Sequence, residues 1–572
     1  MRLRSVAILL VFSLVSACAR TAPAPGASPL PGVPPEWPLS GTARVTNAAQ
    51  AIVVSGSPIA SQVGLEVLRQ GGNAVDAAVA VGFALAVVHP EAGNIGGGGF
   101  MIIRPHAGRT VALDYREAAP SRASRDMYQA AGEEASVTGH LSVGVPGAVA
   151  GLTEAHRRYG KLPLSTVIQP SIRLAHEGFL VDEYRSLSIA DDSARLVLFP
   201  ASRTTFLPAD RPPPPGSTFR QPELGATLEA IRDSGAAGFY RGWVADLIVA
   251  EMQRGGGLIS REDLSAYRAI WREPVEISYR GYTIYSMPPA SSGGVTMGQI
   301  LNIMEGYAPL PPFGSAALLH REAEAMRRAF TDRNTYLGDP AFVRNPLERL
   351  LSKAYASELR RQIGEQASTT PVFDPTVRGG ASTTHYSVVD AEGNAVSCTT
   401  TLNNSYGSAV TVTGAGFLLN DEMDDFATAP GMPNMYGLVQ GEANAIAPGK
   451  RMLSAMTPSI VLDRDKRLHM VVGTPGGPRI ITMVYHVISN VIDHRMSLPD
   501  AVAAPRMHHQ ALPDTVLVEA DGFLPATLDS LRAKGHGISA QGLWGDVEGI
   551  IRTAGGWQGV SDPRRGGGGA GY

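Results

Sequence analysis

The residues of this 572-residue chain best spaced for chemistry are two threonines. Thr383 opens a run, His385-Tyr386-Ser387-Val388-Val389 included, that reads as a strand. The turn cluster Asp390 to Asn394 follows, and Ala395 to Leu402, rich in threonine and valine, reads as the return strand. A hairpin symmetric about Glu392 sets Thr383 opposite Thr401, so that two hydroxyls face each other across neighbouring strands. Taken alone, the pair is explained as well by the β-propensity of threonine. Gly476-Gly477 reads by itself as a turn between a strand and a helix.

Other chemistry is set aside on spacing. Gly96 to Gly99 is followed by no Lys-Ser/Thr, so it reads as close backbone packing rather than a phosphate loop. His385 and His508-His509 have no acidic or histidine partner at zinc-protease spacing and read as structural. Cys398, on the return strand, reads as a small buried hydrophobe. No Gly-x-Ser-x-Gly elbow occurs.

The elements that must position these groups are mixed helix and strand. Ser57-Pro58 reads as an N-cap with proline at the first helical position, opening a helix to about Gln70. Asn73 caps a second helix through Val88, apolar nearly all round and hence buried. Helical patterns recur at 144–178, 224–255, 316–336 and 352–363, with a proline-rich loop at 208–215. After a turn-rich stretch at 367–382 the pattern turns to strands, including a second hairpin of 459–462 with 468–472.

Arg2 and Arg4 precede an apolar run from Val6 to Val15, the plan of a secretory signal too short to span a bilayer. It ends Val15-Ser16-Ala17-Cys18, which resembles a bacterial lipobox and makes Cys18 a lipidation site, with Ala19 after it pointing to the outer membrane. Residues 21–40 hold seven prolines and one charge, a polyproline-like spacer of roughly 60 Å. The expected localisation is export, with a lipid anchor in the bacterial cell envelope; otherwise the protein is periplasmic or secreted.

Composition bounds the rest. Lys and Arg number 49, Asp and Glu 52, for a formal charge of −3, so no basic excess favours nucleic acid, and a membrane is met only through the lipid anchor. With 44% apolar and 18% charged residues the chain has a large core and is not disordered. The only cysteines, Cys18 and Cys398, exclude a disulfide framework and a four-thiolate zinc site. Length alone suggests about three or four domains.

The wording around the threonines outweighs their ambiguity. "TTHYSVVD" from Thr383 resembles the start of the small subunit of γ-glutamyltranspeptidases. Further family-like stretches follow in order along the chain: "GGNAVDAAVA" from Gly71, "GNIGGGGF" from Gly93, "LDYREAAP" from Leu113, "GVPGAVAGL" from Gly144, "MPPASSGG" from Met287, "LLNDEMDDF" from Leu418, "GTPGGPRII" from Gly473, "APRMHHQ" from Ala504 and "SDPR" from Ser561. The resemblance implies an α+β fold, the four-layer αββα sandwich of N-terminal nucleophile hydrolases. It would be made as one precursor that cuts itself between Ser382 and Thr383. The expected parts are a signal at 1–17, a tether at 18–41, a large subunit at 42–382 and a small catalytic subunit at 383–572, the last two one interwoven domain and a heterodimer.

The same resemblance assigns roles. Thr383 is the nucleophile and its freed α-amino group the base; Thr401 orients its hydroxyl, and Gly476-Gly477 form the oxyanion hole. Arg116 clamps the substrate carboxylate, Asp425 and Glu422 accept its ammonium, and Asn403 adds a polar contact. Residues 431–449 resemble a lid, with Tyr436 its aromatic. Where the family has two adjacent serines for the carboxylate, this chain has Ser454 followed by Ala455. The implied activity is γ-glutamyl transfer and glutathione hydrolysis without cofactor or metal, on glutathione or other γ-glutamyl compounds, with water, amino acids or peptides as acceptors. Ala455 motivates one alternative, a cephalosporin (glutaryl) acylase on the same scaffold; a non-catalytic tethered binding lipoprotein is the alternative of another class.

Overall fold

The computed structural model describes residues 32–369, 383–429 and 431–572. Cys18 with the signal, and Ser382 with the stretch from 370, lie outside the described residues. Two seven-stranded sheets form the centre. One runs in the order Gly568–Gly571, Ile52–Ser55, Thr383–Val389, Ala395–Thr401, Gly98–Arg104, Val111–Tyr115, Ile270–Arg272. The other runs Arg44–Ala48, Gly556–Ser561, Glu548–Thr553, Leu468–Gly473, Ser459–Leu462, Tyr282–Ser286, Val275–Tyr279. Neighbouring strands in both are antiparallel.

The sheets stack face to face, with Ile52, Val54, Phe100 and Ile102 of the first packed in one apolar cluster with Ile460, Val471, Ile550 and Val560 of the second. Helices cover the outer faces. Ala74–Val88 is buried along its whole length, as its all-round apolarity predicts, and packs with Tyr386, Val388 and Cys398 on the outer face of the first sheet. Its start is held by a capping box: Asn73 Oδ1 accepts the Val75 and Asp76 N–H groups at 3.0 Å, and Asp76 accepts that of Asn73 at 3.0 Å. Gly293–Glu305, Ala316–Tyr336 and Arg479–Ile492 cover the second sheet. The result is the expected αββα sandwich, an α+β fold rather than a string of domains.

Two local expectations meet the structure differently. Pro58 opens the Pro58–Arg69 helix, but the Ser57 side chain does not cap it and accepts instead from Arg185 Nη2 at 3.1 Å. Residues 32–41, assigned by composition to the spacer, are docked where described. Trp37 is buried and its indole N–H donates to Ala503 O at 2.8 Å, because so large an apolar ring gains more from a pocket than from water.

Candidate active site

The Thr383–Val389 strand alternates its side chains between two environments. Tyr386 and Val388 enter the helix-side core, while Ser387 crosses to the other sheet, donating to Glu548 O at 2.9 Å. Thr383, on the same face as Ser387, therefore points between the sheets at the strand's first position. The register sets it opposite Thr401, and its hydroxyl donates to Thr401 Oγ1 at 3.1 Å. Thr401 Oγ1 also accepts the Asn403 N–H at 2.8 Å. Gly97 lies so close behind that an added Cβ would stand 2.2 Å from Thr401 O, which accounts for part of the glycine run.

Asn403 ties this pair to the 431–449 loop. Its side-chain and main-chain oxygens accept from the Tyr436 hydroxyl at 2.8 and 3.0 Å. The Tyr436 ring lies over Gly477, where a Cβ would come within 3.0 Å of it. Gly476 and Gly477 have φ of 140° and 55°, which L side chains rarely adopt, so the turn between Leu468–Gly473 and Arg479–Ile492 requires both glycines.

Facing the threonines is a charged cluster assembled from distant segments. Arg116 is fully buried; its guanidinium contacts Asp425 and lies 2.5 Å from Glu422 and 3.5 Å from Glu117. The Glu422 contact lacks hydrogen-bond alignment, so both its oxygens are without a donor. Burial pushes the Glu422 carboxyl well above its usual range against the pull of Arg116, with Glu117 and Asp425 adding repulsion. Glu117 is pushed up to about 7, chiefly by burial, and Asp425 is raised for the same reason. Arg116 alone contacts all three carboxylates, while Arg333 acts on Asp425 as a second positive charge. Ser454 adds a hydroxyl whose oxygen accepts the Met456 N–H at 3.1 Å. The "MPPASSGG" stretch holds it: Ser454 N–H donates to Ala290 O, and Ser292 N–H to Ser454 O.

Sequence reasoning missed Arg333 and Glu117. Arg333 sits near the end of Ala316–Tyr336 and lines the same cavity, its Nε donating to Ser292 Oγ at 2.9 Å. Burial lowers its pKa to about 10, Asp425 acting the other way. A helical position carries no local sign of such a role. The cavity shared by Thr383, Thr401, Asn403, Arg116, Arg333 and Ser454 has a volume of only about 20 Å³, little more than a water.

The groups set aside lie elsewhere. His385 is bonded to Thr399 and Ser387, and burial takes its pKa to about 3. His508 is bonded to Thr482 and Gln510, and His509 to Asp514. The Cys398 thiol, 2.9 Å from the Tyr115 hydroxyl, is pushed up to about 12 by burial. Among the described residues no cluster of three or more His, Cys, Asp or Glu is arranged to hold a metal ion, and no helix is long and apolar enough to cross a membrane.

Two stacked antiparallel sheets between helices, with a threonine heading a central strand, define an N-terminal nucleophile hydrolase. The γ-glutamyltranspeptidase family model matches residues 60–572. A glutathione hydrolase proenzyme of Escherichia coli (strain K12) is 45% identical over 98% of this chain and 97% of its own. An acylase ACY 1 proenzyme of Pseudomonas sp. (strain V22) is 40% identical over 86% and 88%. The crystal structure of cephalosporin acylase from Bacillus halodurans matches with a TM-score of 0.82 at 30% identity, covering 92% of this chain and 97% of that one. The chain belongs to the γ-glutamyltranspeptidase family, and it is an enzyme.

Proposed function

We propose that the chain is a γ-glutamyltransferase and glutathione hydrolase that cuts itself between Ser382 and Thr383 into large and small subunits. The observation that carries this reading is the Thr383 hydroxyl, 3.1 Å from Thr401 at the head of its strand, opening on a cavity that also holds Arg116 and Asp425. Cleavage frees the Thr383 α-amino group, and the unperturbed pKa of such an amine, about 8, leaves part of it unprotonated at neutral pH. That amine takes the hydroxyl proton as Oγ1 attacks the γ-amide carbon, and the oxyanion rests on Gly476 and Gly477. The carbon–nitrogen bond breaks, the proton passes to the leaving amine, and the γ-glutamyl ester on Thr383 is transferred to water or to an amino acid or peptide.

The donor is a zwitterion, and binding it is an exchange of partners. Its α-carboxylate displaces carboxylate from Arg116 and takes the Ser454 hydroxyl; its ammonium takes the place of that guanidinium contact on Asp425 and Glu422, beside Asn403. The small cavity volume implies that Tyr436 lifts and the ion pairs part before the donor enters. Ala455 favours one second reading, an acylase for glutaryl groups, because it removes a carboxylate donor. The lipidated Cys18 would place the enzyme in the cell envelope, tethered through its anchor alone.

N-terminal sequencing of the purified fragments tests the mechanism. A small subunit is expected to begin at Thr383, and Thr383→Ala to remain one chain. Wild type that stays uncut, or begins elsewhere, refutes it. Preference for a glutaryl anilide over a γ-glutamyl anilide moves the assignment to the acylase.

A further inference from the structure

The loop that carries Asn403 away from the end of its strand is strained. Asn403, Tyr406 and Ala409 have φ of 82°, 58° and 64°, a region that asparagine tolerates and that tyrosine and alanine seldom enter. Such a backbone keeps its shape only where its surroundings hold it. The loop's donors are held by main chain: Tyr406 N–H donates to Glu91 O and Ser408 N–H to Leu419 O, both at 3.0 Å. Its acceptors are held by Arg195, on the short Ser193–Leu196 helix and outside the cavity on which Thr383 opens. The Arg195 guanidinium donates to Ser405 O at 3.0 Å and to Gly407 O, on either side of Tyr406. Its other three N–H groups go to Val137 O, Thr138 Oγ1 and Asp192 Oδ1, each at 3.1 Å. A surface ion pair would need only the Asp192 contact; here the whole fork is spent, and most of it on holding backbone.

Asn403 needs this support most when the lid is open. With the lid down, its two oxygens accept from the Tyr436 hydroxyl. Once Tyr436 lifts, those bonds leave with it. What stays is Thr401 Oγ1, which accepts the Asn403 N–H, Asp421 O, which accepts its side-chain N–H at 3.1 Å, and the loop braced from behind.

We propose that Arg195 is a positioning residue for the reaction: it fixes the 403–409 loop so that Asn403 keeps its place for the donor's ammonium while the lid is open and meets Tyr436 again when the lid closes. The inference rests on the γ-glutamyl transfer reading, which puts that ammonium beside Asn403. Arg195 acts only through Asn403.

A double-mutant cycle on the matured enzyme tests this. Arg195→Lys keeps the charge and loses the fork. In the wild-type background it is expected to lower kcat/KM for a γ-glutamyl anilide by about tenfold, chiefly through KM because Asn403 meets the ammonium and not the reacting carbonyl. In an Asn403→Ala background the same change should cost less than about twofold. An equal loss in both backgrounds, or no loss in the first, overturns the proposal. Failure of the donor reading shows separately, as wild type that releases no anilide. In that case, or if Arg195→Lys does not mature, amide hydrogen exchange decides, with Thr383→Ala as the uncut reference and Arg195→Lys added to it. Faster exchange confined to 402–409 and 431–441 supports the brace. Unchanged exchange there, or an equal rise in the Ala74–Val88 helix, overturns it.

Discussion

Restoring a hydroxyl at Ala455 isolates the donor's carboxylate contact. Ala455 lines the cavity with Arg116 and Ser454; its side chain offers no polar group, and its carbonyl accepts from Thr457 Oγ1 at 2.9 Å. The proton of Ser454 is spent on no acceptor among the described residues, so one hydroxyl donor serves the carboxylate where Ala455→Ser would supply two. A hydrogen bond to a charged group contributes about 1.5 to 3 kcal/mol, or about 12- to 150-fold at 1.36 kcal/mol per decade. The lower end is expected, because a cavity of about 20 Å³ has room for a water that serves the wild-type carboxylate in place of the missing hydroxyl. The assay is steady-state hydrolysis of a γ-glutamyl anilide beside the same anilide with its α-carboxyl as carboxamide. We expect kcat/KM for the carboxylate donor to rise about tenfold in Ala455→Ser, mainly through KM because the contact is the same in ground and transition states. The carboxamide donor should change by less than about twofold. Equal gains on both donors, or none on either, would refute the placement of the carboxylate beside Ala455.

Two further outcomes follow from the geometry. Thr401→Val removes the acceptor of both the Thr383 hydroxyl and the buried Asn403 N–H; kcat of the matured enzyme should fall about 10- to 100-fold, with Thr401→Ser near wild type, and an unchanged kcat in the valine variant would sink the orienting role. Glu322, buried under the Tyr485 hydroxyl at 3.0 Å, has its carboxyl pushed up by burial from 4.5 to about 8. A raised carboxyl pKa contributes stability that is complete below pH 4.5 and is lost as pH climbs to about 8. Calorimetric melting of Glu322→Gln against wild type should therefore show a difference that grows in the variant's favour between pH 5 and 8; a constant difference contradicts the assignment.

Local physics was legible wherever a short stretch decides its own shape. The register of Thr383 with Thr401 follows from one turn cluster and a period of two, and the Asn73 cap from a side chain within reach of the next three N–H groups. Strands such as Gly98–Arg104, Val111–Tyr115 and Glu548–Thr553 escaped the reading. Gly98–Arg104 shows why: it is buried on both faces but for its last residue, so no alternation marks it. The docking of Trp37 is likewise illegible in a proline-rich segment, because proline content says nothing of the pocket that receives an indole.

The residue types of the site were present in the sequence, and the ordered motifs named the family they resemble. Sequence by itself thus determined that Thr383 faces Thr401 across the hairpin and that alanine, not a second serine, follows Ser454. Only the tertiary structure decided that Arg116 and Asp425, 309 positions apart, meet in one buried cluster, that Arg333 joins them, and that Arg195 reaches the loop of Asn403. Hairpin register is set by neighbours along the chain, whereas charges brought together from separate segments are placed by the stacking of two sheets, an outcome of the whole core that no local pattern encodes.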